Sequence, residues 1–156
     1  MKNQMKVNPW WAALTAWGVV NAVNILQAAG FLSRVLTKST QINQALGYVM
    51  IALVVPAALA LVAFWRARAG WRHWIGPTIY LAFIGLMLVV DYLWPVEFRS
   101  PARLSILVPY LVLFFGSIFW MGLPMYRMNR RLWLVTAITT ILLLVGMLIA
   151  LRAGVG

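Results

Sequence analysis

The sequence predicts an all-α integral membrane protein, a compact bundle of five transmembrane helices forming one polytopic membrane domain over 1–156. Three observations lead there. Hydrophobic residues make up 64% of the 156 residues and charged ones 10%, with a mean hydropathy of +0.90. A soluble domain is nearer half apolar and a quarter charged, and a sphere of this size cannot hide so much apolar surface from water. The apolar residues also gather into five runs, each near the roughly 20 residues that a helix needs to cross about 30 Å of hydrocarbon. Finally, the runs lack the alternation of a membrane β-strand, so their backbone groups must pair within helices. A four-helix bundle is the alternative.

The first helix is expected over about 10–32, with Pro9 just inside its start, where a missing N–H costs nothing. Lys2 and Lys6 ahead of an apolar run resemble a signal peptide. The run is too long for one and is interrupted by Asn21, Asn24 and Gln27, so it reads as a retained helix. The polar stretch SRVLTKSTQINQ, Ser33 to Gln44, is read as a connection. The second helix is expected over 44–65, and Gly70 breaks the RARAG turn after it. The third is expected over 74–94, and Pro95 and Pro101 bracket the loop that follows. The fourth and fifth are expected over 104–126 and 132–151. Pro56, Pro109 and Pro124 fall inside spans and are expected to kink them.

Missing residue types exclude much chemistry. The chain has no Cys, which removes disulfides, thiolate catalysis, iron–sulfur clusters and thiolate zinc sites. His73 is the one histidine, and Asp91 and Glu97 are the two acidic residues. No nucleotide-binding, zinc-protease or serine-hydrolase motif occurs. No catalytic residue, metal site or cofactor is assigned.

The formal net charge is +11, from 13 Lys and Arg against 2 Asp and Glu. With five spans, Lys2, Lys6, Arg66, Arg68, Arg72, Arg127, Arg130 and Arg131 share the N-terminal side. Arg34, Lys38, Arg99, Arg103 and Arg152 lie on the other, with Asp91 and Glu97. In short loops such a bias places the N-terminus in the cytoplasm and the C-terminus outside, in a plasma (inner) membrane. Trp10, Trp11, Trp65, Trp71, Trp74 and Trp133 fall at cytoplasmic helix ends and Tyr92 and Trp94 at an outer end, where amphipathic rings settle at headgroup level. Trp17 and Trp120 do not fit this belt.

Four features are candidates for function. On the first helix Trp10, Trp17, Asn21, Asn24 and Ala28 cluster within about 40°, with Gln27 about 60° further round. Such a stripe is either interhelical hydrogen bonding, with Gly18, Ala22 and Ala29 letting backbones approach, or a polar ligand pathway. Asp91, one turn from the end of the third helix, is an intramembrane carboxylate or an interfacial ion pair with Arg99 or Arg103. The loop PVEFRSPAR carries Glu97, Arg99 and Arg103 and is a docking segment or an ordered connection. The turns WRARAGWRHW and YRMNRRLW place Arg66, Arg68, Arg72, Arg127, Arg130 and Arg131 against anionic lipid headgroups. Nucleic acid would require these residues to leave the bilayer surface, so none is expected as a partner.

Length, five spans and tryptophan content are similar to those of the tryptophan-rich sensory protein family. That family's Trp/Pro-rich motif after the first span is replaced here by SRVLTKSTQINQ, so no ligand residue carries over and no family is recognised.

The leading expectation is a non-enzymatic accessory or assembly subunit, or a homo-oligomeric membrane module. The alternatives are a small carrier or channel using Asp91 and the Asn21/Asn24/Gln27 stripe, and a lipid-modifying enzyme using Asp91 or Glu97 as base.

Overall fold

The computed structural model describes residues 9–39, 41–96 and 103–154, and these form helices and no strands. Glu97, Arg99, Lys2 and Lys6 lie outside the described residues. Five helices are long and apolar enough to cross a membrane: α1 (Trp10–Thr37), α2 (Gln41–Arg66), α3 (Trp71–Leu93), α4 (Leu104–Met128) and α5 (Arg130–Arg152). The protein is a small multi-pass integral membrane protein. The side on which α1 starts, shared by the α2–α3 and α4–α5 turns, is called the N-side below.

Pro9 caps α1 from outside rather than sitting in its first turn. Its carbonyl accepts from Ala12 N–H and Ala13 N–H at 3.0 and 3.2 Å. α1 then runs on to Thr37, past the expected end at Leu32. The polar run after Leu32 is therefore largely helix. Ser33 and Thr37 donate their hydroxyls to the carbonyls of Gly30 and Ser33, at 2.9 and 2.8 Å. A hydroxyl that bonds back to its own helix need not interrupt it. The helix ends at Lys38, in the left-handed region with φ 52°, whose N–H returns to Arg34 O at 2.9 Å.

α2 has a break at Leu53, one turn before Pro56. A proline ring crowds the carbonyl four residues earlier, here Ala52, and offers it no N–H. The α2–α3 reversal is made at Arg68 (φ 49°), not at Gly70, which adopts an extended conformation ahead of α3. Ala69 N–H reaches back to Phe64 O and Arg68 N–H to Trp65 O, at 2.9 and 3.0 Å, the double bond of a Schellman cap. Its apolar companion contact is present, since Ala69 and Phe64 share a core cluster. The last turn of α3, Leu88–Leu93, widens into a π-helix. It stops at Trp94 (φ −127°, ψ 80°), because the residue before Pro95 is driven out of the helical region. Asn129 alone joins α4 to α5. Its side chain accepts from Arg131 N–H and Leu132 N–H, capping α5.

In the bundle, α1 packs against α2, α4 and α5, while α3 packs against α2 and α4. The closest pairs are α3 with α4 and α1 with α5. Two apolar clusters fill the interior. The central one joins Val19, Val20 and Val23 of α1 to Tyr80, Phe83 and Met87 of α3 and to Phe114, Ile118 and Met121 of α4. The N-side one joins Ala12, Ala13 and Ala16 to Ala60, Phe64 and Met125. Lipid tails are as apolar as these side chains, so close van der Waals fit holds the helices together.

The line Gly18, Ala22 and Ala29 is not where backbones meet. A Cβ on Gly18 would find nothing within 4 Å, and Ala29 is exposed. Close approach occurs at Gly76, where an added Cβ would lie 2.6 Å from Met121 N and 2.7 Å from Trp120 C on α4. Gly146 of α5 similarly sits 3.3 Å, measured from its would-be Cβ, from Ala28 O of α1.

Gly76→Ala is accordingly expected to push α3 from α4 and lower stability by about 1–3 kcal/mol, the usual cost of overpacking. Gly18→Ala is expected to leave it unchanged. Thermal unfolding of both variants in detergent, side by side, checks this pair.

Candidate functional site

Three regions gather the chemically distinctive side chains: the α1–α5 seam, the opposite end of α3, and a lateral groove between α4 and α5.

The α1–α5 seam contains most of the polar stripe. Trp17 donates its indole N–H to Leu132 O at 2.9 Å. Asn21 donates through Nδ2 to Trp17 O at 2.7 Å and to Thr136 Oγ1 at 3.2 Å. Asn21 Oδ1 accepts from the Thr139 hydroxyl at 2.8 Å. Asn24 Nδ2 donates to Thr139 Oγ1 and Thr140 Oγ1, both at 3.0 Å. Trp17–Leu132, Asn21–Thr136 and Asn24–Thr139 share one sequence offset of 115. A constant offset means that the helices run parallel and in register, so each side chain meets the same rung one turn further along. Parallel ends also follow from an odd number of spans.

The donor directions are set by the hydroxyls. Thr140 gives its proton to Thr136 O at 2.7 Å, and Thr139 gives its own to Asn21. Only their lone pairs then face Asn24, which must present its NH₂ group. Asn24 Oδ1 is buried with no hydrogen-bond partner. Asn21 and Asn24 are buried, and Gln27 leaves the seam to donate to Met50 Sδ on α2 at 2.8 Å. The sequence reading singled out the amides but not their partners, Thr136, Thr139 and Thr140. The available signal was TAITT, three hydroxyls at helical i, i+3, i+4 spacing.

At the opposite end, Asp91 sits partly buried in the π-helical turn. Tyr110 of α4 donates its hydroxyl to Asp91 Oδ2 at 3.3 Å. Next to it, Tyr92 donates to Gln44 O on α2 at 3.3 Å and stacks on Tyr48 with ring centroids 5.3 Å apart. Gly47 lies directly beneath Tyr92, whose phenol oxygen would have to move to admit a Cβ there. Arg103 is exposed at the start of α4. Asp91 and the seam are thus separate sites, on different helix pairs. Among the described residues no three His, Asp or Glu side chains gather where they could hold a metal ion.

The groove is bounded by Phe115, Phe119, Gly122 and Tyr126 of α4 and by Trp133, Thr136, Ala137, Thr140 and Ile141 of α5, and encloses about 590 Å³. Thr136 and Thr140 of the seam also line it, their hydroxyls turned toward Asn21 and Asn24, and the lining is almost wholly apolar. At its N-side end the Tyr126 and Trp133 rings meet edge to face at 5.1 Å. Arg130 lies over Tyr126 at 5.7 Å, and Arg127, Arg130 and Arg131 are all exposed. Across the bundle on the same side, Arg72 lies 5.6 Å from the Trp71 ring, which meets Trp120 at 5.2 Å. Trp120 is thereby part of the N-side aromatic layer.

Thr139 is the hub of the seam, accepting from Asn24 and donating to Asn21. Thr139→Val keeps its shape and removes both links. Membrane hydrogen bonds average about 0.6 kcal/mol each and reach about 1.7, so a loss of roughly 1–2 kcal/mol is expected. Reversible unfolding in mixed detergent micelles measures it, and no loss would mean that the Thr139 bonds do not help hold α1 to α5. The chain matches no protein-family model, no curated protein and no solved structure.

Proposed function

We propose that this is a non-enzymatic membrane protein that works by association in the plane of the bilayer, as an accessory or assembly subunit or as a homo-oligomeric module. One observation carries the reading. Asn21 and the Asn24 NH₂ group are committed to holding α1 to α5 at the seam, and what the bundle turns outward is largely apolar helix surface with a lateral groove. A surface of that kind meets lipids or other helices. We place the N-side in the cytoplasm of a cell with an anionic inner leaflet. Arg66, Arg68, Arg72, Arg127, Arg130 and Arg131 at that side support this, as do Trp71, Trp120 and Trp133 beside them.

Purification in mild detergent with in-membrane cross-linking tests the association. The expected result is a homo-oligomer or a co-purifying membrane protein; a strict monomer bound to no other protein overturns it. A second reading, a proton or cation carrier, is favoured by Asp91 alone. Here a partly buried carboxylate near the end of a span sits in a π-helical turn, a distortion frequent at functional sites, with Tyr110 as hydrogen-bond donor. It predicts a proton or cation flux in proteoliposomes that Asp91→Asn abolishes. Flux unaffected by the substitution, or none in the parent, removes it.

A further inference from the structure

We propose that the α4–α5 groove is a specific site for one anionic phospholipid of the N-side leaflet. A tail lies between the helices, and the headgroup phosphate meets Arg127, Arg130 and Arg131. This rests on the reading of the protein as one that works by association within the membrane, and names one of its partners.

Three observations point to a lipid. The first is shape. About 590 Å³ is within the range of small-molecule sites, about 300–1,000 Å³. The second is length and depth. From Tyr126 at the N-side end to Phe115 the groove follows α4 for 11 residues, about 16 Å at 1.5 Å per residue. That is half of an approximately 30 Å hydrocarbon core, the depth of a single leaflet. The groove begins at an aromatic pair of the kind found at the headgroup level and ends near the midplane.

The third observation is charge. Three arginines stand within five residues around the α4–α5 turn, at the N-side end of the groove, and Asp91 lies at the opposite end of α3. Among the described residues no side-chain carboxylate lies at the N-side to balance the arginines. A phosphate suits the planar fork of a guanidinium better than any neutral headgroup does. Arg130, held over Tyr126, ties this charge to the wall of the groove itself. A tail passing Ala137 would rest against Thr136 and Thr140, whose hydroxyls on the other side belong to the α1–α5 seam. Occupancy of the groove is in this way linked to the packing of α1.

The test uses the full chain in nanodiscs of equal parts phosphatidylglycerol and phosphatidylcholine with identical tails, followed by native mass spectrometry of the released protein. The expected result is one retained phosphatidylglycerol per chain, preferred over phosphatidylcholine by at least roughly tenfold. Ala137→Phe fills the groove and should lose the retained lipid although all three arginines remain. Ile141→Trp, at an exposed position of the same wall, is the second filling variant should the first misfold. The triple variant R127Q/R130Q/R131Q should retain a lipid without headgroup preference. Undiminished phosphatidylglycerol on a folded groove-filled variant overturns the proposal, as does the absence of preference in the parent. A dimer that the groove-filling variant dissolves would assign the groove to a second copy instead, and also overturns it. A parent that retains no lipid but co-purifies with another membrane protein refutes the lipid site and leaves the association reading standing. A monomer that binds lipid does the reverse.

Discussion

An amide side chain in the hydrocarbon of a membrane has no water to turn to, and each unpaired polar group there costs several kcal/mol. Asn21 and Asn24 place two such groups one turn apart in α1. The threonines of α5 receive them, and the Trp17 indole adds a bond to the Leu132 carbonyl. This requirement orders the rest of the bundle. It makes the first and last helices neighbours in register along a length of two turns. α2, α3 and α4 must then close the path between them, with α1 also touching α4 across the centre. Burial of apolar side chains alone would select no register, because a leucine finds lipid as comfortable as a core.

The α3–α4 pair is held by a different device. Gly76 lets the two backbones touch near the N-side, and aromatic rings of Phe83, Tyr110 and Phe114 interlock toward the other end, at centroid spacings of 5.1 and 5.2 Å. Beyond them the π-helical turn carries Asp91 onto the Tyr110 hydroxyl. The tyrosine so belongs to both the core and the carboxylate. Any rearrangement of the π turn would be felt in the packing of α3 on α4.

The two ends of the molecule differ in chemistry as well as in charge. On the N-side, arginines lie over or beside aromatic rings, Arg72 by Trp71 and Arg130 by Tyr126. On the other, Arg34 likewise lies over Phe31, but tyrosine hydroxyls also tie helices together there, from Tyr92 to α2 and from Tyr110 to α3. The groove joins these themes, since its mouth is part of the basic aromatic layer and its floor is part of the α1–α5 seam.

Much of this was legible in the chain. Hydropathy and the 1.5 Å rise were enough to place five spans, because any apolar run of that length meets the same bilayer. Asn21, Asn24 and Trp17 stood out because polar groups and displaced tryptophans are conspicuous in such runs. Helix ends were less legible. Ser33 and Thr37 look like loop residues by polarity, yet their hydroxyls are satisfied by their own helix. The same self-bonding concealed the threonines of α5: a membrane threonine can serve its own backbone or a neighbour, and its spacing does not say which. Nor could inward and outward faces be told apart. In water an apolar stripe marks the buried side, but lipid and core are equally apolar, so Gly18 and Ala22 look as suited to an interface as Gly76 and Gly146. The sequence by itself determined that the chain crosses a membrane and which amides need partners. Which helix supplies those partners, where backbones touch and where a groove is left open were decided only by the tertiary structure, because those choices depend on shape between helices rather than on transfer from water.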